Sequence, residues 1–391
     1  MPKGWINRRR FLIFIMFLQL IVYVTVFFDV QIARQVLGFF YLTFLPGLII
    51  LKLLKLNDLD VLETILFSVG LSVALLMIIG LLINDFGLLF GVSQPLSPVP
   101  LIIVLNSLIL ACSVLVYLKS ENMKISSNEP TKMVSFSLLL LFLPILSIVG
   151  AMYVNAYENN LLLLFMIVVI SLIFVVSILS TKLFPLKLYP LAVIMIAFSL
   201  LFHTTLVSNY LYTGDIHMEY FVFKSTKENA YWSSFFIDSR DTTYGRLNSM
   251  LSVTILPTIY SVILNMDGSW VFKLLYPSIF SLVPLALYKL WRKEIEARKA
   301  FIAAFLFMAY NVFYTEMLGL NRQMIGELFF ALLLLVIFDK NMKSFNKMMC
   351  FMIFSIALIT SHYSLAEIFL FFMSASFILL TILKHQSRNV T

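Results

Sequence analysis

A chain of 391 residues that is 61% apolar and only 12% charged, with a mean hydropathy of +0.98, does not fold as a water-soluble globule. Soluble domains carry roughly half apolar and about a quarter charged residues, so a soluble enzyme is excluded, and the apolar segments are too many for a single anchor. The net charge of +8 does not mark a nucleic-acid binder, because the basic residues stand between apolar runs, where they set topology.

The chain opens with Arg8-Arg9-Arg10 ahead of an apolar stretch. No small-residue cleavage site follows, so this is the basic flank of a first span and not an export signal. Runs long enough to cross a bilayer follow at 11–28, 35–54, 61–83, 100–118, 134–153, 161–181, 187–207, 270–290, 299–315, 324–338, 348–361 and 365–383. The expected fold is an all-α polytopic membrane protein of about 12 transmembrane helices. Residues 1–118 form a first group of four helices. A polar cytoplasmic linker, 119–133, leads to two more in 134–186, and 187–384 forms the last membrane domain. Cys112 and Cys350 both lie inside apolar runs, without metal-ligand spacing or an expected disulfide.

Residues 249–265 are apolar enough to span but contain Pro257 and several hydroxyls. Charge decides their placement. If they do not cross, and the N-terminus is cytoplasmic, all but seven of the 28 Lys and Arg fall inside; the exceptions are Arg34, Lys224, Lys227, Arg240, Arg246, Lys273 and Arg322. If they cross, the bias vanishes, against the positive-inside rule. The expectation is an interfacial or re-entrant helix over 249–265, with both termini cytoplasmic. More than half of the acidic residues then lie outside. Several fall in the one long connection, an outer loop of about 40 residues at 208–248, a length that is more often functional than not.

That loop opens Thr213-Gly214-Asp215-Ile216-His217-Met218-Glu219-Tyr220. In extended conformation Asp215, His217 and Glu219 share one face; in a helix Asp215 and Glu219 still do, and His217 turns away. A carboxylate pair suits a divalent cation (Mg or Mn), or one group as base with the other orienting a substrate. Asp215 and Glu219 are the candidate catalytic pair, and Asp215, His217 and Glu219 the candidate metal ligands. Further polar residues reach the same level: Glu316 through Arg322 to Glu327, then Ser361-His362-Tyr363-Ser364 with Glu367, and the loop's own Asp238-Ser239-Arg240-Asp241 and Arg246. Ionisable groups near a bilayer are costly unless they pair or line a wet cavity. Arg322, the one cation of its turn, suits a phosphate partner, which a guanidinium grips with two N–H groups. Its alternative is a contact with Glu316 or a lipid headgroup. His362 reads as a phosphate donor or metal ligand on one view and as a helix cap on the other. Arg246 completes the candidate phosphate set. Tyr231 and Trp232 read as interfacial aromatics.

No Gly-rich phosphate loop, dinucleotide fingerprint or Gly-x-Ser-x-Gly elbow occurs. An enzyme working outside without nucleotide needs an activated donor already there, and a lipid-linked one fits. At this point the pattern resembles the polyprenyl-phosphate-sugar-dependent glycosyltransferases of the GT-C superfamily. Gly214-Asp215-Ile216-His217-Met218-Glu219-Tyr220 is similar to their acidic loop motif, Leu256-Pro257 through Trp270 and Lys273 to their surface helix and next span, and Tyr314 to Arg322 to their phosphate-side turn. The first half is similar to archaeal families of multi-pass membrane proteins of unknown function, through Phe44-Leu45-Pro46-Gly47, Leu59-Asp60-Val61-Leu62-Glu63 and Gly70-Leu71-Ser72.

The resemblance implies a GT-C-like core over the second half. It implies inverting sugar transfer from a polyprenyl-phosphate donor to an acceptor of unstated identity, with Asp215 as base or metal ligand, Glu219 in support and Arg322 neutralising the leaving phosphate. The alternative is a non-catalytic membrane protein: a transporter, a lipid flippase or an assembly scaffold. A transporter would carry its ionisable groups at mid-span, and here they gather at outer ends. An enzyme requires Asp215, Arg322 and His362 to converge, and a scaffold does not.

Overall fold

The computed structural model describes residues 5–6, 8–56, 59–119, 123–124, 134–234 and 243–389. Their helices are α1 (Arg8–Phe27), α2 (Gln31–Leu53), α3 (Val61–Leu89), α4 (Pro98–Lys119), α5 (Val134–Tyr157), α6 (Leu161–Leu179) and α7 (Tyr189–Thr205). Then come the short α8 (Ile216–Asn229), α9 (Thr243–Asn248) and α10 (Ile255–Leu264). The chain continues through α11 (Gly268–Phe280), α12 (Leu282–Trp291), α13 (Ala297–Ala309), α14 (Asn311–Tyr314), α15 (Asn321–Ile337), α16 (Ser344–Ser361) and α17 (Tyr363–Asn389). The extended pairing among the described residues is two residues long, β1 (Trp5–Ile6) antiparallel to β2 (Met123–Lys124). It brings the N-terminal segment and part of the 119–133 linker to one end of the bundle, as an even number of spans between them requires.

Ten segments among the described residues are long and apolar enough to cross a membrane: α1 to α7, α11 and α12 as one 24-residue stretch, α16 and α17. The chain is therefore a polytopic helical membrane protein. The other two expected spans are the 13-residue α13 and the 17-residue α15. At 1.5 Å per residue they reach about 20 and 25 Å, short of the roughly 30 Å hydrocarbon core. They pack inside the bundle against α12, and α15 also packs against α16.

Burial sorts centre from rim. About two thirds of the α3 window and more than three quarters of the α11–α12 window are buried, whereas none of the α17 window is. A helix that exposes Phe371, Phe377 and Leu380 along its length fits lipid and not water. The first and last of the three motifs of the first half meet where α2 crosses α3. A Cβ on Gly47 would lie 1.9 Å from the Ser68 carbonyl oxygen, so only glycine permits the crossing. Pro46, just before it, donates nothing to the helix ladder. The Gly47 N–H leaves the helix instead and donates to Ser72 Oγ at 2.8 Å.

Residues 249–265 form a tight turn and then α10, whose 10 residues are too short to cross. Every residue of α10 except Val262 is buried. It is wedged against α2, α3, α4 and α8 and does not present one face to lipid or water. Its last turn is held by Arg34, whose Nε donates to the Ile263 carbonyl at 2.7 Å and Nη2 to that of Val262 at 3.1 Å. A guanidinium satisfies C-terminal helix carbonyls by hydrogen bonding and by the helix dipole. Asp29 accepts from Arg34 Nη1 at 2.6 Å and from Asn265, the left-handed residue that ends α10. Arg34 thus locks the start of α2 onto α10.

Candidate functional site

The segment after α7 turns at Gly214, whose φ of +102° suits glycine. Gly319 meets it from the other side: a Cβ there would stand 2.5 Å from the Thr213 carbonyl oxygen. This close backbone approach carries the 316–319 turn, and with it the start of α15, up to the start of α8. The segment is helical and not extended. Asp215 immediately precedes α8, its carbonyl accepting the Glu219 N–H at 3.0 Å while its carboxylate makes no capping bond. Asp215 and Glu219 therefore stand one turn apart on one face. His217 falls on the other face and is exposed.

Arg322 binds both carboxylates. Its Nη1 donates to Glu219 Oε1 at 2.6 Å and its Nη2 to Asp215 Oδ2 at 2.6 Å. Glu219 also caps α15: its Oε2 accepts the Asn321 N–H at 3.0 Å and its Oε1 that of Arg322 at 3.5 Å. Two orphan donors of a helix N-terminus and a guanidinium thus converge on one carboxylate. Exposure separates the pair. The Glu219 side chain is 0% exposed and that of Asp215 38%. Burial pushes the Glu219 carboxyl up to about 7, although Arg322 and the two backbone N–H groups pull the other way. Glu219 is sealed inside the knot, and Asp215 is its open face.

His362 is buried between α16 and α17, 7% exposed, and its Nδ1 accepts the Leu365 N–H at 3.2 Å. That is the capping reading of this histidine. Burial, reinforced by the Arg322 charge, lowers it to about 4, so it is neutral at physiological pH. Its backbone packs at Gly326 of α15, where an added Cβ would stand 3.0 Å from the His362 Cβ. Arg246 is exposed and lies over the Tyr363 ring, 6.0 Å from its centre. Asp215, Glu219 and Arg322 are thus in direct contact. His362 adjoins them, and Arg246 stands a layer away. Glu316 is exposed, and no ion pair joins it to Arg322 among the described residues. Asp238, Ser239, Arg240 and Asp241 lie outside the described residues.

Among the described residues no group of three His, Cys, Asp or Glu is placed to hold a metal. Arg322 fills the place between Asp215 and Glu219 that a divalent cation would take, and His217 faces away. The present arrangement does not fit a metal bound by these three residues. Trp232 differs from its expected role at a lipid interface. Its backbone N–H and carbonyl pair with the Asn84 side chain at 2.7 and 2.9 Å, and its Nε1 donates to the Asn248 carbonyl at 2.8 Å. It pins the loop to α3.

Sequence reasoning missed two residues. Beside the knot is a cavity of about 210 Å³ whose lining includes Thr205, Thr213, Ile216, Lys273 and Asn321. Lys273 is 3% exposed. Its ammonium donates to the Ser208 carbonyl and lies 5.2 Å from the Trp270 ring centre, with no carboxylate paired to it among the described residues. Asn321 Nδ2 and Arg322 Nε are buried donors without an acceptor. A buried ammonium and orphan donors are costly unless an anion or acceptor joins them. The usable signal was a lone Lys inside the apolar run 270–290, read as a topology residue and as part of the span after the surface helix, with no role in binding. No protein-family profile, curated protein or solved structure matches this chain.

Proposed function

We propose that the chain is a membrane glycosyltransferase of GT-C type, with about 12 traverses once α13 and α15 are counted. It moves a sugar from a polyprenyl-phosphate donor to an acceptor on the extracytoplasmic face. The single observation that carries the reading is a small cavity with a buried, carboxylate-free lysine, lined by Thr213 and Ile216, which stand on either side of the part-exposed Asp215 in the chain. The charge bias of the connections supports an extracytoplasmic position for this end, with both termini cytoplasmic.

In this reading Arg322 holds Asp215 in position, and Glu219 holds Arg322 in place. The acceptor hydroxyl gives its proton to Asp215 as its oxygen bonds to the anomeric carbon. The bond from that carbon to the phosphate oxygen breaks, and the departing phosphate keeps the electron pair. Lys273 and the Asn321 amide receive the growing phosphate charge, an electrostatic role concentrated in the transition state. Arg322 contributes to that field from its place between Glu219 and Asp215.

The test uses purified protein in nanodiscs, a short-chain polyprenyl-phosphate hexose carrying a labelled sugar, and host membrane extract as acceptor source, with and without Mg²⁺ or Mn²⁺. Release of polyprenyl phosphate by the wild type, and not by Asp215→Asn, supports the reading. Normal turnover by Asp215→Asn removes that residue from the chemistry. No turnover of hexose, deoxyhexose or aminosugar donors leaves the non-catalytic alternative standing and refutes the proposal.

A further inference from the structure

A second cavity, of about 580 Å³, opens at the opposite end of the bundle from Asp215, where the α2–α3, α12–α13 and α15–α16 connections meet. Basic side chains outnumber carboxylates along its lining, six to four. The carboxylates are already engaged. Lys289 bonds Asp60 and lies 3.6 Å from Glu63, while Lys293 lies 3.8 Å from Glu63 and 2.7 Å from Asp339. Glu294 has Lys340 at 3.8 Å. Asp60 and Glu63 are fixed further by the capping box that starts α3.

Three cations are left over: Lys55, Arg292 and Lys343. None has an ion-pair partner among the described residues, and all three are exposed at the mouth of the cavity. Arg292 donates to the Ile295 carbonyl at 3.3 Å and also bonds the Tyr288 hydroxyl, neither of which neutralises its charge. Lys55 is set at the rim by a left-handed backbone, φ +56°. Apolar Leu56, Leu62, Phe338 and Met342 share the lining. The cleft thus presents cations without ion-pair partners beside greasy side chains, where membrane-crossing helices end. A free anion would use the rim alone; a phosphate joined to acyl chains would use both. Basic pockets between helices at a bilayer surface hold anionic headgroups in this way.

We propose that this cleft binds the phosphate headgroup of an anionic phospholipid. Lys55, Arg292 and Lys343 face the phosphate, and Leu56, Leu62 and Met342 face the first acyl carbons. The proposal requires that the chain sit in a membrane and is independent of any chemistry at Asp215.

The experiment is a titration of the full-length detergent-solubilised protein with phosphatidylglycerol, phosphatidylcholine or inorganic phosphate, read by native mass spectrometry. The expected result is a preference for phosphatidylglycerol over phosphatidylcholine of roughly tenfold or more, as the weight of several surface cations implies. The variant K55Q/R292Q/K343Q loses that preference, and the control K224Q/K299Q, which removes exposed cations elsewhere, keeps it. Retention by the triple variant overturns the proposal, as does equal loss in the control, which would mean general attraction. Displacement of phosphatidylglycerol by inorganic phosphate at matched concentration overturns the lipid assignment in favour of a free-anion site. Unfolding temperatures are read alongside; if the triple variant is unstable, Lys343→Gln alone is titrated, with a partial loss expected and an unchanged preference overturning the proposal.

Discussion

The Glu219 carboxylate and the Arg322 guanidinium meet at 2.6 Å in a buried contact, and the same carboxylate caps the helix that carries Arg322. The pair therefore joins α8 to α15 across 103 positions of sequence. Truncating one partner strands the other charge in a dry site, at a cost of about 3–5 kcal/mol. Glu219→Ala and Arg322→Ala should each lower thermal stability in nanodiscs by that order. The double variant Glu219→Leu/Arg322→Met should recover most of the loss, because an apolar pair of similar volume leaves nothing unpaired. A double-mutant cycle reads the coupling, and additive losses would show that the two charges do not depend on each other.

Asp215 carries the opposite expectation. Its carboxylate is part-exposed, makes no capping bond, and shares Arg322 with Glu219. Asp215→Asn should leave the unfolding temperature within a degree or two of the wild type, since a half-exposed ion pair contributes on the order of 1 kcal/mol or less. Loss of sugar transfer in a protein that melts normally separates chemistry from folding. A variant that melts like Glu219→Ala would make Asp215 part of the structural knot.

How much of this was legible beforehand follows from what sequence spacing can encode. Apolar run length marked ten of the spans, and the two other expected ones, α13 and α15, are shorter helices packed against protein. The charge bias correctly kept 249–265 from being a full span. It gave no sign that α10 would be buried, because burial there depends on Arg34, Gly38 and Gly80 arriving from α2 and α3. The Asp215–Glu219 face was readable from i,i+4 spacing. Its union with Arg322 was not, since nothing local links position 219 to 322. Lys273 escaped because a single lysine in an apolar run reads as a flank until its depth is known.

The Gly47 crossing gives a steric prediction. A methyl there meets the backbone oxygen of Ser68, which cannot move aside without displacing α3, whereas at Gly70 it meets the tip of the Leu332 side chain at 2.2 Å, which can rotate. Gly47→Ala should cost roughly 3 kcal/mol and Gly70→Ala about 1. Unfolding midpoints of the two variants check the order. Equal costs would mean that the α2–α3 crossing is slack.

The cavity beside the knot predicts a split between stability and binding. Lys273→Met removes a buried ammonium that lacks a carboxylate, so stability should hold or rise by about 1 kcal/mol. The same change should weaken binding of a polyprenyl phosphate by roughly tenfold or more, the weight of a buried charge-assisted contact. Isothermal titration with a short-chain polyprenyl monophosphate reads the affinity. A destabilised variant with unchanged affinity would make Lys273 a brace for the Ser208 carbonyl.

Acid should act through His362. Its ordinary value is 6.5, and burial together with Arg322 lowers it to about 4. A histidine lowered by folding adds stability in full above about 6.5, and this is lost as pH falls through 4, because the buried ring must take up a proton. The shift corresponds to about 3 kcal/mol. His362→Asn keeps a capping acceptor and removes the titrating ring. The wild type should therefore lose unfolding temperature as pH falls from 6.5 toward 4, and His362→Asn should lose less over the same range. Thermal unfolding in nanodiscs across this range decides the matter, and parallel profiles for the two proteins would place the acid-sensitive group elsewhere.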